Sequence, residues 1–216
     1  MSAVDAAAAA AGLAPGLPLA EARAQVPELA TAPADPDGDA AALARLAAWC
    51  GRYSPWTAPD PQGGEAGGAG ILIDASGCAH LFGGEAALLA DLRHRLERLG
   101  FTARAALAEP PGAAWALARF ATERALPIVV VPAGGVRGHL APLPPAALRL
   151  DAADCDLLHR LGLRRIGELA ALPPAALAPR VGRAVRRRLD QALGREAEPI
   201  EPLAPVPSLR VRRAFA

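Results

Sequence analysis

The sequence predicts an α+β fold: a core of strands alternating with helices, with helical segments before and after it. Three observations carry this. Between residues 71 and 131, short aliphatic runs alternate with amphipathic stretches in the order β-α-β-α-β. Residues 6–55 and 140–194 read as helical. Gly- and Pro-rich stretches at 60–70, 142–145 and 199–207 punctuate the blocks. The 216 residues suffice for one large domain or two to three small ones.

In chain order, Ala6–Ala11 has high helix propensity and stops at Gly12. Pro18 can open a second helix that runs towards Pro27. After the turn cluster at Asp35-Pro-Asp-Gly, Asp39 is placed to cap a helix with Leu43, Leu46, Cys50 and Tyr53 on one face. Ile71–Ile73 reads as a short strand. Leu88, Leu89, Leu92, Leu96 and Leu99 mark an amphipathic helix ended by Gly100. Phe101–Leu107 is the next strand, Gly112–Thr122 the next helix and Ile128–Val131 the last strand of the core. Pro142, Pro144 and Pro145 read as a stiff linker, and Ser208–Ala216 as a strand-like tail.

Composition narrows the function. Apolar residues make up 52% of the chain, too many for a disordered protein, while 23 basic and 22 acidic residues exclude an acidic tail or a uniformly basic nucleic-acid binder. All the basic residues are arginine. Three scattered cysteines, Cys50, Cys78 and Cys155, contain no C-x-x-C pair, which argues for a reducing compartment and against a zinc site. The first eleven residues lack the cationic start of a signal peptide, and no stretch approaches the roughly 20 apolar residues of a membrane helix. These features predict a soluble, cytoplasmic protein.

Few residues offer catalytic chemistry. Asp74, at a strand end before Ala75-Ser76-Gly77, has the position of a metal ligand or base. Yet Glu65 is the only other acid within ten residues, so it reads as a turn-capping residue. His80, His94, His139 and His159 share no ligand spacing, and no Walker or G-x-G-x-x-G pattern occurs. Metal, cofactor and catalytic residue are all expected to be absent.

Nucleic-acid binding has more support. Residues 160–195 carry nine arginines against two acids. At about 100° per residue, Val181, Val185, Leu189 and Leu193 form one stripe, with Arg183, Arg186 and Arg187 opposite. That face suits salt-sensitive phosphate contacts, and equally a plain solvated surface. Leu161-Gly162-Leu163-Arg164-Arg165-Ile166-Gly167-Glu168-Leu169 reads as helix, glycine turn, helix, like one arm of a helix-hairpin-helix, where backbone N–H groups can meet phosphate. The DNA-binding candidates are therefore Gly162, Arg164, Arg165, Gly167, Arg183, Arg186 and Arg187.

Five blocks in order resemble the Y-family (translesion) DNA polymerases. Residues 12–23 resemble the fingers segment, Pro27-Glu-Leu its "C-P-x-L" and Tyr53-Ser-Pro its "Y-S/T-P". Ile71-Leu-Ile-Asp-Ala-Ser-Gly resembles the palm strand "A-Y-L-D-V-T-G", and Leu161–Leu169 the thumb's "L-G-I-x-T-I-G-D-L". The resemblance implies fingers-like helices at 1–55, a partial palm with a mixed or antiparallel sheet at 56–140 and a helical thumb at 141–200. Residues 201–216 would then be a linker and the start of a little-finger domain. It also implies a chain cut short at both ends, with one palm strand missing and its neighbour left as an exposed edge.

The departures from the family set the expected function. Counting back from Asp74, the family's metal-binding Asp and Glu fall at Ala69 and Gly70. Its triphosphate-holding Tyr and Arg fall near Ala40 and Leu43, its "N-K" at Pro110-Pro111, and its "G-I-G" hairpin at Arg149-Leu150-Asp151. A polymerase fold without its acids, together with Phe82-Gly-Gly-Glu, is similar to the ImuB-type subunits of the bacterial damage-induced mutasome. The resemblance implies a non-catalytic adaptor in DNA repair and the SOS response. Its partners would be DNA, contacted non-specifically, a replicative-type error-prone polymerase, a RecA-like subunit and, through a missing C-terminal region, the sliding clamp. An active error-prone polymerase and a simple helix-hairpin-helix module are the alternatives.

Overall fold

The computed structural model describes residues 1–60, 69–123 and 126–204, with the side chains of Ala6 and of 174–180 left out of the description. The expected tail at Ser208–Ala216 lies outside the described residues. The chain divides into two compact units, Met1–Ala41 and Ala42–Ala216.

The first unit is helical. α1 (Ala6–Ala10) is capped by Asp5, whose carboxylate accepts from the Ala8 N–H, and Gly12 takes a left-handed φ of 86° just beyond its end. α2 (Leu19–Gln25) starts after Pro18, as the sequence predicts. α3 (Pro36–Cys50), which begins in this unit and continues into the second, starts earlier than expected. Asp35, not Asp39, receives the Gly38 N–H at 3.0 Å, Pro36 opens the first turn, and Asp39 falls within it. A cluster read as a turn is thus the helix start itself.

The second unit holds two small sheets. β1 (Thr57–Asp60) pairs antiparallel with β2 (Gly70–Ile73), in register Thr57↔Ile73 through Asp60↔Gly70. β1 was not expected, because Thr57-Ala-Pro-Asp has neither an aliphatic run nor alternation. β3 (Ala105–Leu107) and β4 (Ile128–Val130) pair in parallel, joined by α5 (Pro111–Phe120) as the crossover. β3 is shorter than the expected 101–107, and Phe101 is exposed. α4 (Glu85–Arg98) buries Leu88, Leu89, Leu92 and Leu96 and leaves Leu99 outside.

The described elements of this unit further include a 3-10 turn at Ala79–Phe82, α6 (Val136–Leu140), a 3-10 turn at Pro145–Leu148, α7 (Ala152–Arg160), α8 (Ile166–Ala171) and α9 (Pro174–Ala192). The proline stretch read as a linker is core instead. Leu140, Leu143, Pro145, Ala147 and Leu148 are buried there, because Pro144 and Pro145 fix φ for a tight turn that drives its aliphatic neighbours inward. Within α9, Val181, Val185 and Leu189 are buried as the stripe predicts, but Gly182 breaks the helix with φ 85° and ψ 164°.

Two hydrophobic cores result. One joins Trp115 and Leu117 of α5 to Leu148, Leu158, Ile166, Leu169, Val185 and Leu189. The other gathers Cys50 and Tyr53 with Leu88, Leu89, Leu92 and Leu96. The parallel pair serves both. Ala106 and Val129 pack on the first core, while Ala105, Leu107, Ile128 and Val130 pack on the second, the alternation a pleated strand imposes.

Candidate functional site

Ala69 and Gly70, where counting back from Asp74 places the polymerase-like acids, stand at the strand end where Gly70 pairs with Asp60. Ala69 carries a methyl group and Gly70 none at all. A Cβ built on Gly70 would stand 2.9 Å from Nη2 and 3.5 Å from Nη1 of Arg119, so a guanidinium already fills that space. Arg119 comes from the last turn of α5 and lies over Trp115, its Cζ 4.1 Å from the ring centroid. Its Nη2 faces the Asp60 carboxylate at 3.8 Å. Asp60 is only 8% exposed, and among the described residues its Oδ2 is buried without a hydrogen bond. Burial pulls the Arg119 guanidinium below its ordinary value, opposed by the charge of Asp60.

The charges continue past Trp115. Arg149 lies 5.6 Å from the same ring and pairs with Glu198 at 2.6 Å, and Arg188 reaches Glu198 at 3.4 Å. Arg149 holds φ +58°, the left-handed region that favours glycine. It stands where the family's "G-I-G" hairpin would begin. Gly112, at the start of α5, lets this pair close. A Cβ there would lie 3.1 Å from both Arg149 Nη2 and Glu198 Oε2.

A divalent metal, which the polymerase reaction of this fold family uses, does not fit these residues. One carboxylate faces one guanidinium, and no group of three or more His, Cys, Asp or Glu side chains among the described residues converges to hold an ion. Asp74 takes the role the sequence predicts: its Oδ1 accepts the Ser76 N–H at 2.9 Å, closing the turn.

The DNA-binding candidates separate into three groups. Gly162 holds φ +79° in open space and makes the turn. At the start of α8, every backbone N–H is engaged within the chain. Arg164 and Arg165 N–H donate to Glu168 Oε2 at 2.7 and 3.0 Å, Ile166 N–H to the Leu143 carbonyl, Gly167 N–H to the Ala141 carbonyl and Glu168 N–H to the Arg165 carbonyl. Those two donors hold the Glu168 carboxyl below its ordinary value. Gly167 is small because a Cβ would lie 3.1 Å from Ala141. The start of α7 is closed likewise, by Asp151, whose Oδ1 accepts from Asp154 N–H at 2.8 Å.

The side chains are the third group. Arg164, Arg165 and Arg183 are exposed. Arg186 pairs with Asp190 at 3.4 Å and Arg187 with Glu196 at 2.8 Å, while Arg195 also reaches Asp190. Two of the five candidate arginines, Arg186 and Arg187, are therefore paired with acids in place. Sequence reading missed Asp60, Arg119, Trp115, Arg149 and Glu198. The visible signal was Trp115 and Arg119, one helical turn apart in an otherwise small and apolar helix.

The fold matches solved structures of translesion polymerases. A DinB from Sulfolobus solfataricus aligns with a TM-score of 0.67 at 17% identity, over 90% of this chain and 56% of its own. An insertion ternary complex of Dbh DNA polymerase aligns at 0.70, also at 17% identity, over 91% and 56%. By fold, this is a Y-family polymerase-like α+β chain. By sequence it is of the ImuB type: the proteins named ImuB from two strains of Caulobacter vibrioides are each 50% identical to it over 188 residues, 87% of this chain. The match spans 39% of those relatives' length. No protein-family model matches the chain. No helix among the described residues is long and apolar enough to cross a membrane.

Proposed function

We propose that this chain is a non-catalytic, polymerase-shaped adaptor in damage-induced translesion synthesis, with weak, non-specific contact to DNA. The observation that carries the reading is the strand end at 69–70, which presents Ala69, Gly70 and the guanidinium of Arg119 where nucleotide transfer would need converging carboxylates. The protein partners are a replicative-type error-prone polymerase and a RecA-like subunit, with the sliding clamp reached through sequence beyond this chain. Residues 1–55 serve as fingers-like, 56–140 as palm-like and 141–200 as thumb-like parts. The protein works in the cytoplasm, on the nucleoid when bound to DNA.

DNA contact runs through the exposed side chains of Arg164, Arg165 and Arg183, since the amides at the start of α8 are taken. Primer extension with Mg²⁺ or Mn²⁺ is expected to yield no template-dependent product, and incorporation would overturn the reading. Fluorescence anisotropy of a primer–template across a salt series is expected to show steeply salt-dependent binding that ignores metal and nucleotide. Binding strengthened by Mg²⁺ and the correct dNTP would point to a working nucleotide site instead.

A further inference from the structure

We propose that Arg119 is a resident cation: its guanidinium takes the place at the β1–β2 strand end that a divalent metal would take, so this end is charge-balanced without metal and rejects one. The inference deepens the non-catalytic reading and rests on its placement of Ala69 and Gly70.

The geometry is specific. Asp60 lies opposite Gly70 in the strand register, so its carboxylate and the missing side chain face the same spot. Arg119 enters that spot from α5 with its side chain 12% exposed, against 10% for Asp60. Trp115 backs the guanidinium with its ring, 4.1 Å from Cζ to the centroid, and Arg104 Nη1 donates to the Arg119 carbonyl at 3.2 Å, fixing the end of the helix. A buried carboxylate needs a partner cation, and a fixed guanidinium supplies one without giving up a hydration shell as tightly held as that of Mg²⁺. A second cation placed there would meet Arg119 at close range and in low dielectric, with Arg149, 5.6 Å from the same Trp115 ring, adding to the repulsion.

A further consequence is that restoring acids alone does not restore a metal site. In Ala69→Asp/Gly70→Glu, the new carboxylates pair with Arg119. Only with Arg119→Ala added does the strand end gain free ligands.

The test uses the full 216-residue chain, with MnCl₂ as the probe, read by the Mn²⁺ electron paramagnetic resonance signal and by thermal melts. The unaltered chain is expected to take up no Mn²⁺ and to melt at the same temperature with Mn²⁺ or EDTA. Saturable uptake lost in Asp60→Asn would overturn the proposal. Ala69→Asp/Gly70→Glu is expected to stay silent, and the triple variant with Arg119→Ala to bind Mn²⁺. Binding by the double variant alone would mean that the guanidinium is no obstacle. Arg119→Met is expected to lower the melting temperature by roughly 5 °C or more, and the pair Asp60→Asn/Arg119→Met to recover part of that loss. Losses that simply add would show that the two groups are not coupled. Failure of the two readings is distinguishable: Mn²⁺ uptake without primer extension overturns only the resident-cation proposal, whereas primer extension overturns the adaptor reading.

Discussion

Tyr53, in the stretch that resembles the family's "Y-S/T-P", donates its hydroxyl to Asp91 Oδ2 at 2.7 Å, and Arg95 Nε donates to the same oxygen at 2.8 Å. Arg95 first and Tyr53 second hold the Asp91 carboxyl below its ordinary 3.8, while burial and the Asp91 bond push the Tyr53 phenol upward. A carboxyl lowered in the folded state contributes stability above its unfolded value and loses that contribution as pH falls through the folded one. The stability difference between the unaltered chain and Tyr53→Phe should therefore be largest above about pH 4 and shrink below it, in urea melts at stepped pH. Cys50 packs beside Tyr53, and burial pushes its thiol up to about 11. At pH 8 it should resist alkylation until the chain unfolds, while half-buried Cys78 is modified first. Mass spectrometry of the labelled peptides reads both.

At the scale of elements, α8 and α9 make separable claims. Glu168→Ala would release the Arg164 and Arg165 amides and remove a negative charge from the hairpin. Primer–template affinity should rise and its salt slope steepen, and an unchanged affinity would place the start of α8 away from phosphate. Replacing Arg164, Arg165 and Arg183 with alanine should flatten the slope by roughly 0.9 per phosphate contact on duplex DNA. Replacing Arg186 and Arg187 should change it less, because Asp190 and Glu196 already take their charge. Gly182 sits in a backbone region almost confined to glycine, with open space around it, so Gly182→Ala should cost roughly 1–3 kcal/mol in denaturant unfolding through backbone strain alone.

These elements show what the sequence could reveal. The leucine period of α4 and the valine–leucine stripe of α9 were legible because burial repeats with the helix. The break at Gly182 was not, since one glycine inside a strong period leaves the pattern intact. β1 was illegible because Thr57-Ala-Pro-Asp becomes a strand through its pairing with β2 and not through its own propensity. For the site, counting along the chain located Ala69 and Gly70 but not Arg119, which reaches them from a helix about 50 residues further on and is brought there only by the fold.

For the unit 42–216 as a whole, the shared parallel pair ties the two cores together. Leu158 lies in one core and Leu88 in the other, each nearly inaccessible to solvent. Leu158→Ala and Leu88→Ala should each cost about 2–5 kcal/mol and shift a single common transition, followed by circular dichroism and tryptophan fluorescence. Two separated transitions would mean that the cores melt independently. The Leu203 N–H donates to the Thr57 carbonyl at 2.8 Å, so the stretch following α9 comes back to meet β1 at that residue. The closing residues of the described chain thus act as a guard rail. Shortened to end at Glu198, the protein should expose the outer carbonyls and amides of β1 and self-associate in a concentration-dependent way, as light scattering would register.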